Sequence, residues 1–348
     1  MPRLPVAILG ATGAVGQKFV ALLAEHPWFE IVQLSASADR VGRRYGDVVR
    51  WRETTPLPPE LASIVMSEAT PGGAARLAFS ALDAAVAREV EPAFARAGAL
   101  VVSNASAFRM AADVPLLIPE VNADHLALLD TQRRVRGWTG GIIANPNCST
   151  AILITALAPL HRAFGVRRLT VATLQAASGA GYPGVPSLDL LDNVIPFIGG
   201  EEEKIAEETR KLLGTLEETV VRAAPITASV MVHRVPVTDG HMVSVSVEFQ
   251  APPSVEDALQ ALRAFRGSER VAGLPTSPLP PIEVEMRDDR PQTRLDRDRG
   301  LGMGVTVGRV RPCPIGHLRF TALGHNLVRG AAGAAIQNAE LLVASGYV

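Results

Sequence analysis

Cysteine is nearly absent: Cys148 and Cys313 are the only two in 348 residues. They form neither a disulfide framework nor a C-x-x-C pair, and they suggest a reducing compartment. Neither sign of charge is in excess, with 34 Lys and Arg against 35 Asp and Glu and a formal net charge of −1. That balance leaves no electrostatic footprint for nucleic acid or anionic lipid. No uncharged apolar run reaches about 18 residues, so no membrane span is expected. No cluster of ligand residues has metal-site spacing, and no metal is expected. The N-terminus lacks a basic segment, a long apolar segment and a cleavage site, so no signal peptide is expected and the protein reads as cytoplasmic. Internal repeats and low-complexity stretches are also missing.

What is present is an ordinary globular composition, 47% hydrophobic and 20% charged, in a chain long enough for two domains. The chain is organised around Gly141-Ile142-Ile143-Ala144-Asn145-Pro146-Asn147-Cys148-Ser149-Thr150. An apolar strand ends at Ala144, a tight turn follows, and helical apolar spacing begins. Pro146 fixes φ and biases Asn145 away from the helical region, so the turn precedes the helix. Cys148 then falls at the helix start, where unpaired N–H groups and the dipole favour negative charge. A thiol so placed is expected to have a lowered pKa and to act as a thiolate nucleophile. The alternative is a small buried cysteine. Cys313 lies between two prolines with no helix start and is expected to be structural.

The first half reads as a dinucleotide unit. An apolar strand over 4–9 runs into Gly10-Ala11-Thr12-Gly13-Ala14-Val15-Gly16 and then a helix. Glycines so spaced give a tight turn, close backbone approach to a pyrophosphate, and a helix N-terminus beneath it. Gly10, Thr12, Gly13, Ala14 and Val15 are therefore candidate cofactor residues. The second strand, over 30–37, ends in Ser35 and Ser37 rather than in the acidic residue that selects NAD. With Arg40 close behind, the small hydroxyls suit a 2′-phosphate, which favours NADP. Asp39 is the counter-indication. Ser80, at the end of the next buried strand, and Arg109, beyond a further strand over 99–103, are expected at the same carboxyl edge. Arg109 would clamp an anion there, or simply lie in solvent.

The second half supplies candidate partners for the thiol. A strand ending at Gln175 enters the small-residue loop 176–184, where Ser178 and Gly179 allow close approach to a ligand. Glu201-Glu202-Glu203-Lys204 opens an amphipathic helix through 213. Its acidic first turn is good helix chemistry in itself and competes with a ligand role for Glu201 or Lys204. Residues 230–237 and 241–249 read as strands about an Asp239-Gly240 turn. Arg234 is a candidate carboxylate clamp, and His241, at the turn, is placed for proton transfer. A helix is expected over 254–265. The densely charged stretch 283–303 reads as a solvated or intersubunit loop. The C-terminal segment, rich in small residues, reads as a helix returning to the first domain.

Together these motifs resemble the aspartate-β-semialdehyde dehydrogenases, in the branch found in archaea and fungi. The likeness runs through the 10–16 loop, the Asn145–Thr150 motif, Gln175 to Gly181, Glu201 to Lys204, Arg234 to His241, and Asn326 to Gly333. The Cys-to-Gln, Arg-to-His and Glu-to-Lys spacings match the family pattern. The resemblance implies an α/β fold: an NADP-binding Rossmann-type domain over 1–148, completed by a C-terminal helix over 326–348, and an α+β catalytic and dimerisation domain over 149–325 with a mixed sheet. It implies Cys148 as acyl-forming nucleophile, Gln175 orienting the thioester and His241 as acid–base. Arg234 would hold the substrate carboxylate and Glu201 its ammonium. Arg109 and Lys204 would hold phosphate, Asn147 would join the substrate site, and Asn326 would lie near the nicotinamide. A homodimer or homotetramer is expected. Malonyl-CoA reductase, on the same scaffold, is the alternative activity, and a non-catalytic NADP sensor is a third reading.

Overall fold

A computed structural model describes residues 2–348. Strands β1 (Leu4–Leu9), β2 (Phe29–Ser35), β3 (Leu77–Ser80), β4 (Leu100–Ser103) and β5 (Gly141–Ala144) form a sheet in the order β2-β1-β3-β4-β5. Every pairing is parallel. β3, β4 and β5 are buried throughout, which matches their unbroken apolar runs and a sheet covered on both faces. Helices α1 (Ala14–Leu23), α2 (Ala84–Arg96) and α3 (Leu128–Arg136) connect them. The strand order reverses between β1 and β3, and the carboxyl ends there open onto a crevice, where such sheets bind ligands.

Helix α4 (Cys148–Phe164) leaves β5 and is buried without a break from Ser149 to Leu160. Its apolar residues occupy all sides, the pattern of a helix enclosed by protein. Asn147 caps it, its side-chain oxygen accepting from the N–H groups of Ser149 and Thr150 at 2.9 and 3.2 Å. The second half packs a mixed sheet on this helix. Its strands are β6 (Val166–Gln175), β9 (Thr227–Arg234), β10 (His241–Phe249), β11 (Ile282–Glu285), β12 (Val305–Pro312) and β13 (Leu318–Gly324), in the order β11-β12-β13-β10-β6-β9. β7 (Thr215–Glu217) and β8 (Val220–Arg222) form a separate hairpin. Helices α5 (Glu201–Leu212) and α6 (Val255–Ala264) lie in this half, α6 opening on a capping box between Ser254 and Asp257.

Three expectations shift. The C-terminal helix, α7 (Ala332–Ala344), begins six residues later than position 326, because β13 runs to Gly324 and the chain then turns tightly through 325–331. Its apolar residues Ala335, Ile336, Ala339 and Leu342 share the core of the first sheet with Phe19 and Phe79. The expected strand over 230–237 lies at Thr227–Arg234, paired in parallel with β6. The charged stretch 283–303 is solvated only in part: residues 286–289 are exposed, whereas Asp296 is 1% exposed and bonds Arg290, Arg299 and the Gln292 amide. No helix among the described residues is long and apolar enough to cross a membrane.

Candidate active site

One cavity of about 780 Å³ joins the carboxyl edge of the parallel sheet to the start of α4 and to the mixed sheet. At its cofactor end are Gly10, Thr12, Gly13, Ala14, Val15, Ser35 and Ser37. Gly10 has φ +80°, and a Cβ on Gly16 would lie 2.2 Å from the Gly10 carbonyl oxygen, so the turn closes only with glycine at both places. No side chain caps α1, which leaves its first amides free for a pyrophosphate. The donors, the close turn and the cavity's size fit a dinucleotide. Beyond β2, Ser37 Oγ donates to Asp39 Oδ1 at 2.5 Å, and Arg40 Nη1 donates to Thr12 Oγ1 at 2.5 Å. Asp39 is thus engaged by a hydroxyl, which holds its carboxyl below the ordinary range.

At the other end stand Arg109, Asn147, Cys148, Gln175, Glu201, Lys204 and Arg234. β6 and β9 pair Gln175 with Arg234, so both side chains reach the cavity from one edge of the sheet. Arg234 is 5% exposed, and its Nη1 donates to the Ala176 carbonyl at 2.7 Å. Asn147 Nδ2 donates to Glu201 Oε2 at 2.6 Å, and Lys204 Nζ lies 3.6 Å from Glu201. Arg109 is held from behind: Nη1 donates to Glu208 at 3.0 Å and Nη2 to the Asn104 carbonyl at 2.8 Å.

Cys148 keeps a part-exposed face on the cavity. Even so, burial pushes its thiol up to about 12, and the Glu201 carboxylate adds to the rise. Arg109, Arg234 and the Ser149 amide pull the other way and are outweighed. This corrects the expectation of a resting thiolate: loss of solvation exceeds what the helix start supplies.

His241 stands behind the cavity wall, fully buried. Its Nδ1 accepts from the Ala176 N–H at 3.0 Å, so the neutral ring carries its proton on Nε2. Nε2 has no hydrogen-bond partner among the described residues. Gly179 covers it: a Cβ there would lie 2.9 Å from His241 Nε2 and 2.7 Å from Arg234 Nη1. Burial lowers the imidazole to about 3, with the charges of Arg234 and His325 acting in the same sense. The resting ring is therefore a hydrogen-bond donor and not the proton acceptor expected of an acid–base group. Asn326 secures the approach to it, accepting from the Gly240 N–H and donating to Ser178 Oγ, each at 2.8 Å.

Comparison with known proteins bears on what this cavity serves. Residues 5–129 match the family description "Semialdehyde dehydrogenase, NAD binding domain", and residues 157–329 match "Semialdehyde dehydrogenase, dimerisation domain". The chain is 52% identical to the aspartate-semialdehyde dehydrogenase of Archaeoglobus fulgidus, over 98% of both chains. The chain belongs to the aspartate-semialdehyde dehydrogenase family. The Methanothermobacter thermautotrophicus member is 49% identical over 97% of this chain and 98% of its own. The crystal structure of the Candida albicans enzyme with NADP superimposes with a TM-score of 0.91, at 40% identity over 100% of both chains. The Vibrio cholerae enzyme II complexed with ASA gives 0.79, at 28% identity over 99% of both chains.

Within this family fold, three expected site residues do not line the cavity. Ser80 is wholly buried beneath the edge of β3, where its carbonyl accepts from the Asn104 amide. Arg40 lies outside the wall and reaches it only through Thr12. His241 sits behind Gly179. The other expected residues meet in the one cavity, Ser178, Gly179 and Asn326 included. Sequence reasoning missed Glu208 and Lys211. Their signal was available, since positions 201, 204, 208 and 211 share one helical face.

Proposed function

We propose that the protein catalyses the reversible, NADPH-dependent reductive dephosphorylation of L-4-aspartyl phosphate to L-aspartate 4-semialdehyde. The reaction passes through a thioester on Cys148 and serves biosynthesis of lysine, threonine, methionine and isoleucine. One observation carries the reading: a cysteine at a helix start shares a single cavity with a glycine-rich nucleotide loop and with Arg109, Arg234, Glu201 and Lys204.

In this reading Gly10 to Val15 hold the pyrophosphate, while Ser35, Ser37 and Arg40 favour the 2′-phosphate of NADP. Arg234 holds the substrate carboxylate and Glu201, with Asn147, its ammonium. Arg109 and Lys204 hold the phosphoryl group. The Cys148 sulfur attacks the acyl carbon. An S–C bond forms, the C–O bond to phosphate breaks, and the thiol proton leaves on the departing phosphate as hydrogen phosphate. That route needs no resting thiolate, in keeping with a thiol raised to about 12. When bound, NADPH supplies the hydride that takes the acyl group to the aldehyde level. The Cys148 backbone N–H, left free where Asn147 and Glu208 engage its neighbours, stabilises the oxyanion at each stage. His241 Nε2–H adds to it as the Gly179 loop yields, and Gln175 orients the acyl group. Collapse of the tetrahedral adduct breaks the S–C bond and releases the aldehyde, and the departing sulfur takes one proton from solvent to return to its thiol form.

Malonyl-CoA reduction is the weaker reading, since Arg234 beside Glu201 suits an amino acid and the relatives above act under the aspartate-semialdehyde name. Residues 1–148 with α7 form the nucleotide unit, and 149–325 the catalytic and oligomer-forming unit. The outer face of the mixed sheet, with exposed Leu174 and Met231, is covered by a second copy in a homodimer or homotetramer. The enzyme works in the cytoplasm. Steady-state oxidation of aspartate semialdehyde tests the reading. Turnover should require phosphate and prefer NADP⁺ to NAD⁺; phosphate-independent turnover, or malonyl-CoA reduction in its place, would overturn it.

A further inference from the structure

We propose that Glu208 is a positioning residue that couples the anion-holding Arg109 to the turn bearing the nucleophile. Glu208 lies on α5, one and two turns beyond Lys204 and Glu201, on the face turned to the first domain. It is 1% exposed. One carboxylate oxygen accepts from Arg109 Nη1 at 3.0 Å. The other accepts from the Asn147 backbone N–H at 2.6 Å. Asn147 is the cap of α4 and the residue before Cys148, so this contact sets where the sulfur stands.

Three segments far apart in the sequence thus meet on one carboxylate: the loop after β4, the turn after β5, and a helix of the second half. Lys211, on the next turn of α5, locks the same loop. Its Nζ donates to the carbonyls of Arg109, Ala111 and Val114 at 2.7, 2.8 and 2.9 Å. The Arg109 side chain cannot swing without breaking the Glu208 contact, nor its backbone shift without breaking that of Lys211.

The arrangement also sets how strongly Arg109 holds its anion. A guanidinium already paired with a buried carboxylate offers a phosphate less net charge than a free one. The pairing weakens phosphate binding while aiming the arginine, which suits a group that must leave at each turnover. Burial raises the Glu208 carboxyl on balance, and the Arg109 guanidinium and the Asn147 N–H oppose that rise.

This inference rests on the reading of Arg109 as the phosphate-holding group, and the experiment separates the two. In the full-length enzyme with NADP⁺ and aspartate semialdehyde, Glu208→Gln should lower kcat about 10- to 100-fold, from loss of aim at Cys148. It should lower the KM for phosphate, from release of Arg109, and leave the KM for NADP⁺ within about twofold. Glu208→Asp keeps the charge on a shorter arm; it should lower kcat with the phosphate KM unchanged, and it carries the test if Glu208→Gln does not fold. A general loosening raises every KM together, and that result, or no change in kcat with either variant, overturns the inference. Arg109→Lys is the control. If it leaves the phosphate KM untouched, the underlying reading of Arg109 fails; if it raises that KM while the Glu208 variants match wild type, only this inference fails.

Discussion

The Ala176 amide donates to Nδ1 of His241 at 3.0 Å, and this contact decides which ring nitrogen carries the proton. Protonating Nδ1 would set N–H against N–H inside a sealed wall. The ring therefore stays neutral and presents Nε2–H toward the cavity behind Gly179. His241→Ala should cut kcat about 10²- to 10³-fold, the scale of losing one oxyanion donor. Gln, which offers an N–H at similar reach, should recover about tenfold of that loss. The sign with pH follows from an imidazole lowered to about 3: it is neutral from pH 5 to 9 and gives no inflection there. Histidine ¹⁵N shifts across that range measure it directly, and an imidazolium signal from His241 at pH 6 would contradict it.

Glu201 and the enclosing protein push the Cys148 thiol to about 12, so its thiolate fraction at pH 7 is on the order of 10⁻⁵. Iodoacetamide alkylation of the free enzyme should be slow at pH 7 and rise about tenfold per pH unit through pH 9. Glu201→Gln removes a charge that raises the pKa and should speed alkylation at fixed pH. A rate that levels off below pH 8 would mean a stabilised thiolate.

Gly179 must be glycine because Arg234 and His241 lie within 3 Å of where a Cβ would stand. The loop itself is exposed, so Gly179→Ala should leave the thermal midpoint within about 2 °C. Both side chains beneath it must move, and kcat/KM should fall about 100-fold, as expected for an ångström of misplacement. A fully active, fully folded variant would show that neither residue acts from its present position.

Arg329 and Glu120 form a buried bidentate pair at 2.8 and 3.0 Å, joined by Gln337 and Thr155. It ties the first domain to α4 and to the chain before α7. Arg329→Met strands a buried carboxylate and should cost about 3–5 kcal/mol. Burial raises the Glu120 carboxyl, yet Arg329 and Gln337 outweigh it and leave it net lowered. A lowered carboxyl contributes stability above its unfolded pKa and loses it as pH falls through the folded one. The wild type should therefore lose this contribution in acid, and thermal melts against pH should show a shallower acid decline for Arg329→Met.

Much of the site was legible because its signals are local. The glycines from 10 to 16 follow a strand and precede a helix, and Asn-Pro-Asn ahead of an apolar run marks where α4 begins. The state of the thiol was not legible. A helix start is visible in sequence, whereas the burial that outweighs it, and the Glu201 charge that adds to it, arise only when distant segments fold around the sulfur. His241 was visible as a histidine at a turn, but its protonation follows from an amide in another strand's loop. Glu208 and Lys211 read as ordinary helix charges until the Arg109 loop is laid against them. The start of α7 was misjudged because the small-residue run from Gly330 to Ala335 reads as one helix with the residues just before it. Gly330 serves a turn instead: a Cβ there would lie 2.6 Å from Cys148 Cβ.

Trapping the acyl-enzyme tests the central claim most directly. Mixing the enzyme with aspartate semialdehyde and NADP⁺ without phosphate, then quenching in acid, should leave a hydroxylamine-labile aspartyl adduct on the peptide carrying Cys148. Phosphate should discharge it at a rate compatible with turnover, and Cys148→Ala should form no adduct and lose at least about 10³-fold in activity. Turnover of the wild type with no adduct on that peptide, or near-normal turnover by Cys148→Ala, would contradict the account.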